Sequence, residues 1–336
     1  MAETKGDIME FIKKLQDLDR RWIYLIIALA ITIPLLIPFN APTYTTGPTE
    51  TLYQMVDSYE NREDRAILIC FAHDASTMAE LYPMEVAILR HCFERKVKVF
   101  TLTFLPTAAP LVNYAIDMVK SEYPDVQSGV DYINIGYKPA ALYLPIVVGM
   151  GDGIAEAVKT DAEGRKLETL PMMKGLNNYN ELRLVIETSG ASYAMGWVTW
   201  ARSRFGVNVA AGVTAVMAAD AYPYLQTGQL SGMLSGMKGA AEYEYLTDVF
   251  AAYQSPDYPN GRPFSKELLK DQDVIDSIDI SKDWDPETKT GIMYKWKTAR
   301  LGMNAQSVAH MVIFLFILIG NIGYFAERYQ QNKAKK

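Results

Sequence analysis

The sequence predicts a doubly wound α/β domain with a mostly parallel sheet of about five strands, flanked by N- and C-terminal transmembrane helices. Two observations lead there. Short apolar runs rich in β-branched side chains alternate with helical patterns, as in a parallel sheet covered on both faces. Two longer runs, residues 22–39 and 308–325, contain no Asp, Glu, Lys or Arg, and each falls within the roughly 17–25 apolar residues that a helix needs to cross a bilayer.

Residues 1–21 read as a cytoplasmic amphipathic segment, with Ile8, Phe11, Ile12, Leu15 and Leu18 on one face, suited to the inner leaflet or to a partner. Lys5, Lys13, Lys14, Arg20 and Arg21 precede the first run, residues 40–61 hold no Lys or Arg, and Arg328, Lys333, Lys335 and Lys336 follow the second. Cations are retained on the cytoplasmic side, so both termini are expected there, in a cell (inner) membrane. Lys295, Lys297 and Arg300 stand against this, but long domains cross largely regardless of charge. A removable signal peptide is the competing account of the first run; Pro34, Pro38 and five acids in the leader speak against it. Residues 41–265 then form a periplasmic or extracellular domain, 266–307 an acidic connector and juxtamembrane helix, and 326–336 a basic cytoplasmic tail.

Within the domain, Ala66–Ala72 reads as a buried strand and Met78–Glu94 as the helix behind it. A second strand follows at residues 97–104, a helix at 111–121 and a third strand at Tyr132–Tyr137. A fourth strand lies at 182–188, a helix at 191–205 ended by Gly206, and a fifth strand at 208–214. The segment Gly149-Met150-Gly151-Asp152-Gly153 fails the dinucleotide spacing and reads as a turn between two helical stretches. The usual order 3-2-1-4-5 sets strands 1 and 4 side by side, with a ligand crevice at their carboxyl ends.

Those ends carry the candidate ligand-binding residues: His73, Asp74, Ser76 and Thr77 after strand 1, and Thr188, Ser189 and Ser192 after strand 4. Hydroxyls at helix starts suit a small anion or metabolite; plain helix capping uses the same residue types. His73 beside Asp74 is the one coincidence of base and acid there, and implies a hydrolase if both face a substrate. No GxSxG, HExxH or phosphate loop occurs, and neither a metal nor a cofactor is expected. Cys70 and Cys92 read as buried thiols, close enough for a bond if the strand and its helix bring them together. The acids Asp271, Asp273, Asp276, Asp279, Asp283, Asp285 and Glu287 match no EF-hand spacing and read as a solvated connector.

Residues 41–307 hold 24 Lys plus Arg against 33 Asp plus Glu, which excludes nucleic acid as a partner. Gly228, Gly232 and Gly236, with Gly239 and Ala240, recur along one edge if residues 227–240 are helical. Interior glycines weaken a helix by roughly 1 kcal/mol each, so a closely approaching backbone is implied. The leading expectation is therefore a non-enzymatic, two-pass scaffold subunit that meets the bilayer and, through this edge, other copies of itself or other integral membrane subunits. A tethered receptor with its ligand in the strand 1/strand 4 crevice is the alternative, and a hydrolase the third.

Overall fold

The structure is a computed structural model that describes residues 19–39, 41–57, 65–251, 257, 261–277 and 298–334. The chain divides into two units, Pro42–Arg300 and a second made of Met1–Ala41 with Leu301–Lys336. The amphipathic reading of the first residues, the connector from residue 278 to 297 and most of its acid cluster lie outside the described residues.

Helix α1 (Arg20–Leu36) begins the second unit, capped by Asp19, whose side chain accepts from the Arg21 amide. It stops at Leu36 because Ile37 precedes Pro38, whose ring excludes the helical conformation from the residue before it; Ile37 is at φ −125°, ψ 86°. The apolar part of α1 is thus about 22 Å long, less than the roughly 30 Å hydrocarbon core.

The α/β unit opens with α2 (Gly47–Asp57). Then follow β1 (Ala66–Ala72), α3 (Met78–Glu94), β2 (Lys98–Thr103), α4 (Ala109–Lys120), β3 (Tyr132–Tyr137), α5 (Tyr143–Gly149), α6 (Ile154–Val158) and β4 (Leu182–Ser189). Helix α7 (Tyr193–Trp197) continues through a π turn, Val198–Arg202, into Ser203–Phe205 and ends at Gly206 in the left-handed region. After it come β5 (Val209–Val213), α8 (Ala218–Gln226), β6 (Gly232–Ser235), α9 (Gly236–Leu246) and α10 (Gln272–Ser277).

The sheet is parallel and six-stranded, in the order β3-β2-β1-β4-β5-β6. This is a Rossmann-like arrangement, the expected order extended by one strand. Every residue of β1 and β4 is buried, because both faces of these central strands are covered. Even-numbered residues of β1 (Leu68, Cys70) and odd-numbered residues of β4 and β5 (Val185, Ala211) pack into a core with Ile146 of α5, Met150 just beyond it, and Ala194 and Trp197 of α7. On the opposite face α3 packs against α9 and α4, and α2 lies against β6.

The sixth strand corrects the reading of the glycine stripe. Residues 227–240 are not one helix: Gly228 (φ +71°) turns the chain, Gly232 opens β6, and Gly236 (φ +57°) begins α9, which runs on through Gly239 and Ala240. The need for close approach is real but is met inside the unit. A Cβ on Gly232 would stand 2.9 Å from the Leu52 backbone nitrogen in α2, and one on Gly239 would stand 2.9 Å from the Leu234 backbone. Gly232, Gly236, Gly239 and Ala240 are all buried. They form no common edge for another subunit.

Both thiols are free and buried. Cys70 faces the α5/α7 core while Cys92 sits in α3 on the other side of the sheet, so the alternation of side chains along β1 separates them.

Helix α9 holds both ends of the described α/β chain. Glu242 Oε2 accepts from the Thr46 amide (2.9 Å) and hydroxyl (2.7 Å), while Lys238 pairs with its other oxygen. Glu244 accepts from the amides of Ala299 (3.0 Å) and Arg300 (2.9 Å), and Arg300 reaches Asp248 at 2.8 Å. Burial raises the Glu244 carboxyl to about 7, against the pull of those two amides. At the end of α2, Asp57 accepts from Arg95 (2.6 Å) and contacts His91 (3.2 Å), whose other nitrogen meets the Tyr243 hydroxyl at 2.7 Å.

The last helix, α11 (Thr298–Ala334), contains the segment Thr298–Phe325, long and apolar enough to cross a membrane. Met311, Phe314, Leu315, Ile317 and Phe325 are more than half exposed, an apolar surface that water does not favour. Among the described residues no other helix meets that length and composition. Within the second unit, Asn304 Nδ2 donates to the Phe39 carbonyl at 2.6 Å, giving a partner to a backbone group beyond the end of α1.

Candidate functional site

Neighbouring residues of a strand project to opposite faces, and Glu187 and Thr188 of β4 divide the crevice accordingly. Thr188 points toward α3. Its hydroxyl donates to Glu85 Oε1, and Glu85 Oε2 lies 2.8 Å from His73 Nε2. His73 Nδ1 stands 3.2 Å from the Asp74 carbonyl; a carbonyl only accepts, so Nδ1 carries a proton. His73 is 2% exposed and Glu85 0%. Burial holds the Glu85 carboxyl above the usual range despite His73 and Thr188. Burial alone would push His73 down, but the hydrogen bond and charge of Glu85 outweigh it and raise the imidazole.

Glu187 points the other way, into the α5/α7 side, next to Cys70 in the register between β1 and β4. Its Oε2 accepts from Trp197 Nε1 at 2.6 Å, and the Cys70 thiol hydrogen-bonds to the same carboxyl. Burial drives this group up to about 8, with the charge of Glu85 adding to the rise and the bonds from Cys70 and Trp197 opposing it. Glu187 is therefore protonated at neutral pH. Burial and then Glu187 push the Cys70 thiol far above its ordinary range, which makes it inert as a nucleophile.

Glu187 lies in the wall of a cavity of about 350 Å³ at the carboxyl ends of β1, β2 and β4. Ala72 comes from β1, Phe104 and Leu105 follow β2, Ala140 lies before the start of α5 and Tyr143 at it, and Ser192, Tyr193 and Gly196 come from α7 and its approach. Phe104 and Tyr143 meet edge to face at 4.9 Å, and Tyr143 stands 6.1 Å from Trp197. Gly196 is required here, since a Cβ would collide with the Tyr143 hydroxyl. That hydroxyl is buried without a hydrogen-bond partner among the described residues.

The seven crevice residues read from the sequence separate in space. Only Ser192 lines the cavity. Asp74 is exposed and turns back on Ser76, accepting from its amide (2.8 Å) and hydroxyl (2.6 Å). Thr77 stands at the N-cap of α3 without a side-chain capping bond, and Ser189 accepts from the Ala191 amide at 2.9 Å. Of these hydroxyls, Ser76 and Thr188 donate within the fold, to Asp74 and Glu85. The hydrolase reading fails at His73, which is buried and directed at Glu85 and the Asp74 carbonyl rather than at a substrate.

Glu187, Tyr143 and Trp197 were not singled out in the sequence, and Cys70 only as a buried thiol. The available signal was an acid near the end of an otherwise apolar buried strand, LRLVIET, since carboxylates are almost never fully buried without a reason. No group of three or more His, Cys, Asp or Glu side chains converges as metal ligands would among the described residues. Comparison of the chain with protein-family models, curated proteins and solved structures finds no match, so its chemistry is read from this geometry.

Proposed function

We propose that the chain is a membrane-tethered binding module whose α/β unit takes a small, largely apolar molecule into the crevice at the ends of β1, β2 and β4. One observation carries this reading: a cavity within the size range of small-molecule sites, at the strand-order reversal where doubly wound sheets bind ligands, with one buried acid in an apolar wall. The scaffold reading loses its argument because the glycines pack within their own unit. In this proposal α11 anchors the chain, α1 enters the membrane beside it with Asn304 serving the Phe39 carbonyl, and the α/β unit faces away from the cytosol, as the flanking cations favour.

The test is thermal unfolding of the full chain in detergent against a metabolite library. A ligand at a hundred times its Kd adds about 2.7 kcal/mol, a rise of several degrees. Ser192→Trp, at the exposed rim, is expected to abolish the rise without lowering the melting temperature of the empty protein. Absence of any stabilising compound, or a rise that persists in Ser192→Trp, refutes the crevice. Protease added to sealed cells tests the orientation: the α/β unit is expected to be cut from outside and spared from within.

A further inference from the structure

The chemistry of the crevice narrows the ligand class, an inference that rests on the crevice being a binding site. Glu187 is 1% exposed, and among the described residues no Lys, Arg or His figures among the groups that shift it. The groups that face it are the Cys70 thiol from β1, the Trp197 indole from α7, the Tyr143 hydroxyl from α5 and, across the sheet, Glu85 of α3. On the other face of the sheet, His73 is engaged by Glu85. An acid is thus buried with neutral or acidic neighbours only, beside an open space bounded by the rings of Phe104, Tyr143 and Tyr193. Aromatic rings attract cations, most strongly where water is excluded. The Tyr143 oxygen, buried without a hydrogen-bond partner among the described residues, adds an acceptor.

We infer that the crevice takes a small organic ammonium ion, with its charge against Glu187 and its carbon substituents against Phe104, Tyr143 and Tyr193. Binding exchanges one cation for one proton: the Glu187 carboxyl ionises, its proton passes to solvent, and the carboxylate stays paired with the ammonium. The empty site remains neutral, which avoids a lone buried charge. For a quaternary ammonium, which cannot itself titrate, affinity then weakens about tenfold for each pH unit below the carboxyl's value of about 8.

Calorimetry on the full chain in a maltoside detergent tests this with choline, tetramethylammonium and the carbon isostere of choline that carries a tert-butyl group in place of trimethylammonium. Choline is expected to bind at least tenfold tighter than the isostere, to gain about tenfold between pH 6 and 7, and to release one proton per site, read from two buffers of different ionisation enthalpy. Glu187→Gln preserves an acceptor for Trp197 and the side-chain shape; it is expected to keep the fold, lose choline affinity at least tenfold and lose the proton release. Phosphatidylcholine vesicles that compete with choline would identify a lipid headgroup as the source of the ammonium, and vesicles without effect a free amine. Equal binding of choline and isostere, or undiminished choline binding by Glu187→Gln, overturns the ammonium class while leaving a functional crevice. If neither these probes nor any library compound binds, the crevice reading itself falls.

Discussion

Glu85 and Glu187 are both fully buried carboxyls, placed on opposite sides of one sheet within a few residues of its carboxyl edge. Their surroundings differ in one respect. Glu85 has a basic partner in His73 and a hydroxyl from Thr188, so both of its oxygens are engaged within the fold. Glu187 has an indole and a thiol but no base, and it borders a cavity. A buried acid with a complete set of partners is cement; one without a counter-charge at a cavity wall is held ready for something outside the chain.

The largest way to break this comparison is by pH. The folded-state value of Glu187 is raised from 4.5 to about 8, so the folded state keeps a proton that the unfolded chain has lost. Stability of the empty protein is therefore highest below about pH 4.5, as far as this group is concerned, and falls as pH rises toward 8, by on the order of 5 kcal/mol. Denaturant melts across that window are expected to show a slope that Glu187→Gln reduces. Glu244, raised to about 7, leaves part of a slope of the same sign in that variant.

Next in size, Glu85→Ala removes the base's partner and orphans Thr188, and is expected to cost about 3–5 kcal/mol by the same melts. Glu187→Gln at pH 8 should be neutral or stabilising; if the two variants are equally damaging, the distinction between the sites is wrong. Gly232→Ala presses a methyl against the Leu52 backbone and is expected to cost about 2 kcal/mol without altering ligand binding, which separates packing from the crevice. The smallest effect is Trp197→Phe, which deletes one hydrogen bond to Glu187, for about 1 kcal/mol, and raises the pH at which ammonium binding reaches half its limit.

The sheet was readable because its signals are local. The limits of β1 and β3, the helix of α3, the Gly206 stop and the central strand order agree between sequence and structure. β6 was missed because Gly232-Met233-Leu234-Ser235 is short and its glycines repeat at helical spacing; their spacing reflects α2 and α9 pressing on a strand, a tertiary cause. The end of α1 was overrun although Pro38 marks it. At the site, only Ser192 among the residues named from the sequence lines the cavity. A strand alternates its side chains, so Glu187 faces the cavity while Thr188, one of the two residues chosen from the same strand end, faces α3.

Glu242 and Glu244 are two positions apart on α9, hence on nearly opposite sides of a helix about 10 Å wide, and one receives Thr46 while the other receives Ala299 and Arg300. The described ends of the α/β unit thereby meet at a single spar. Traction on Thr46 and on Ala299 is therefore borne by one helix, α9.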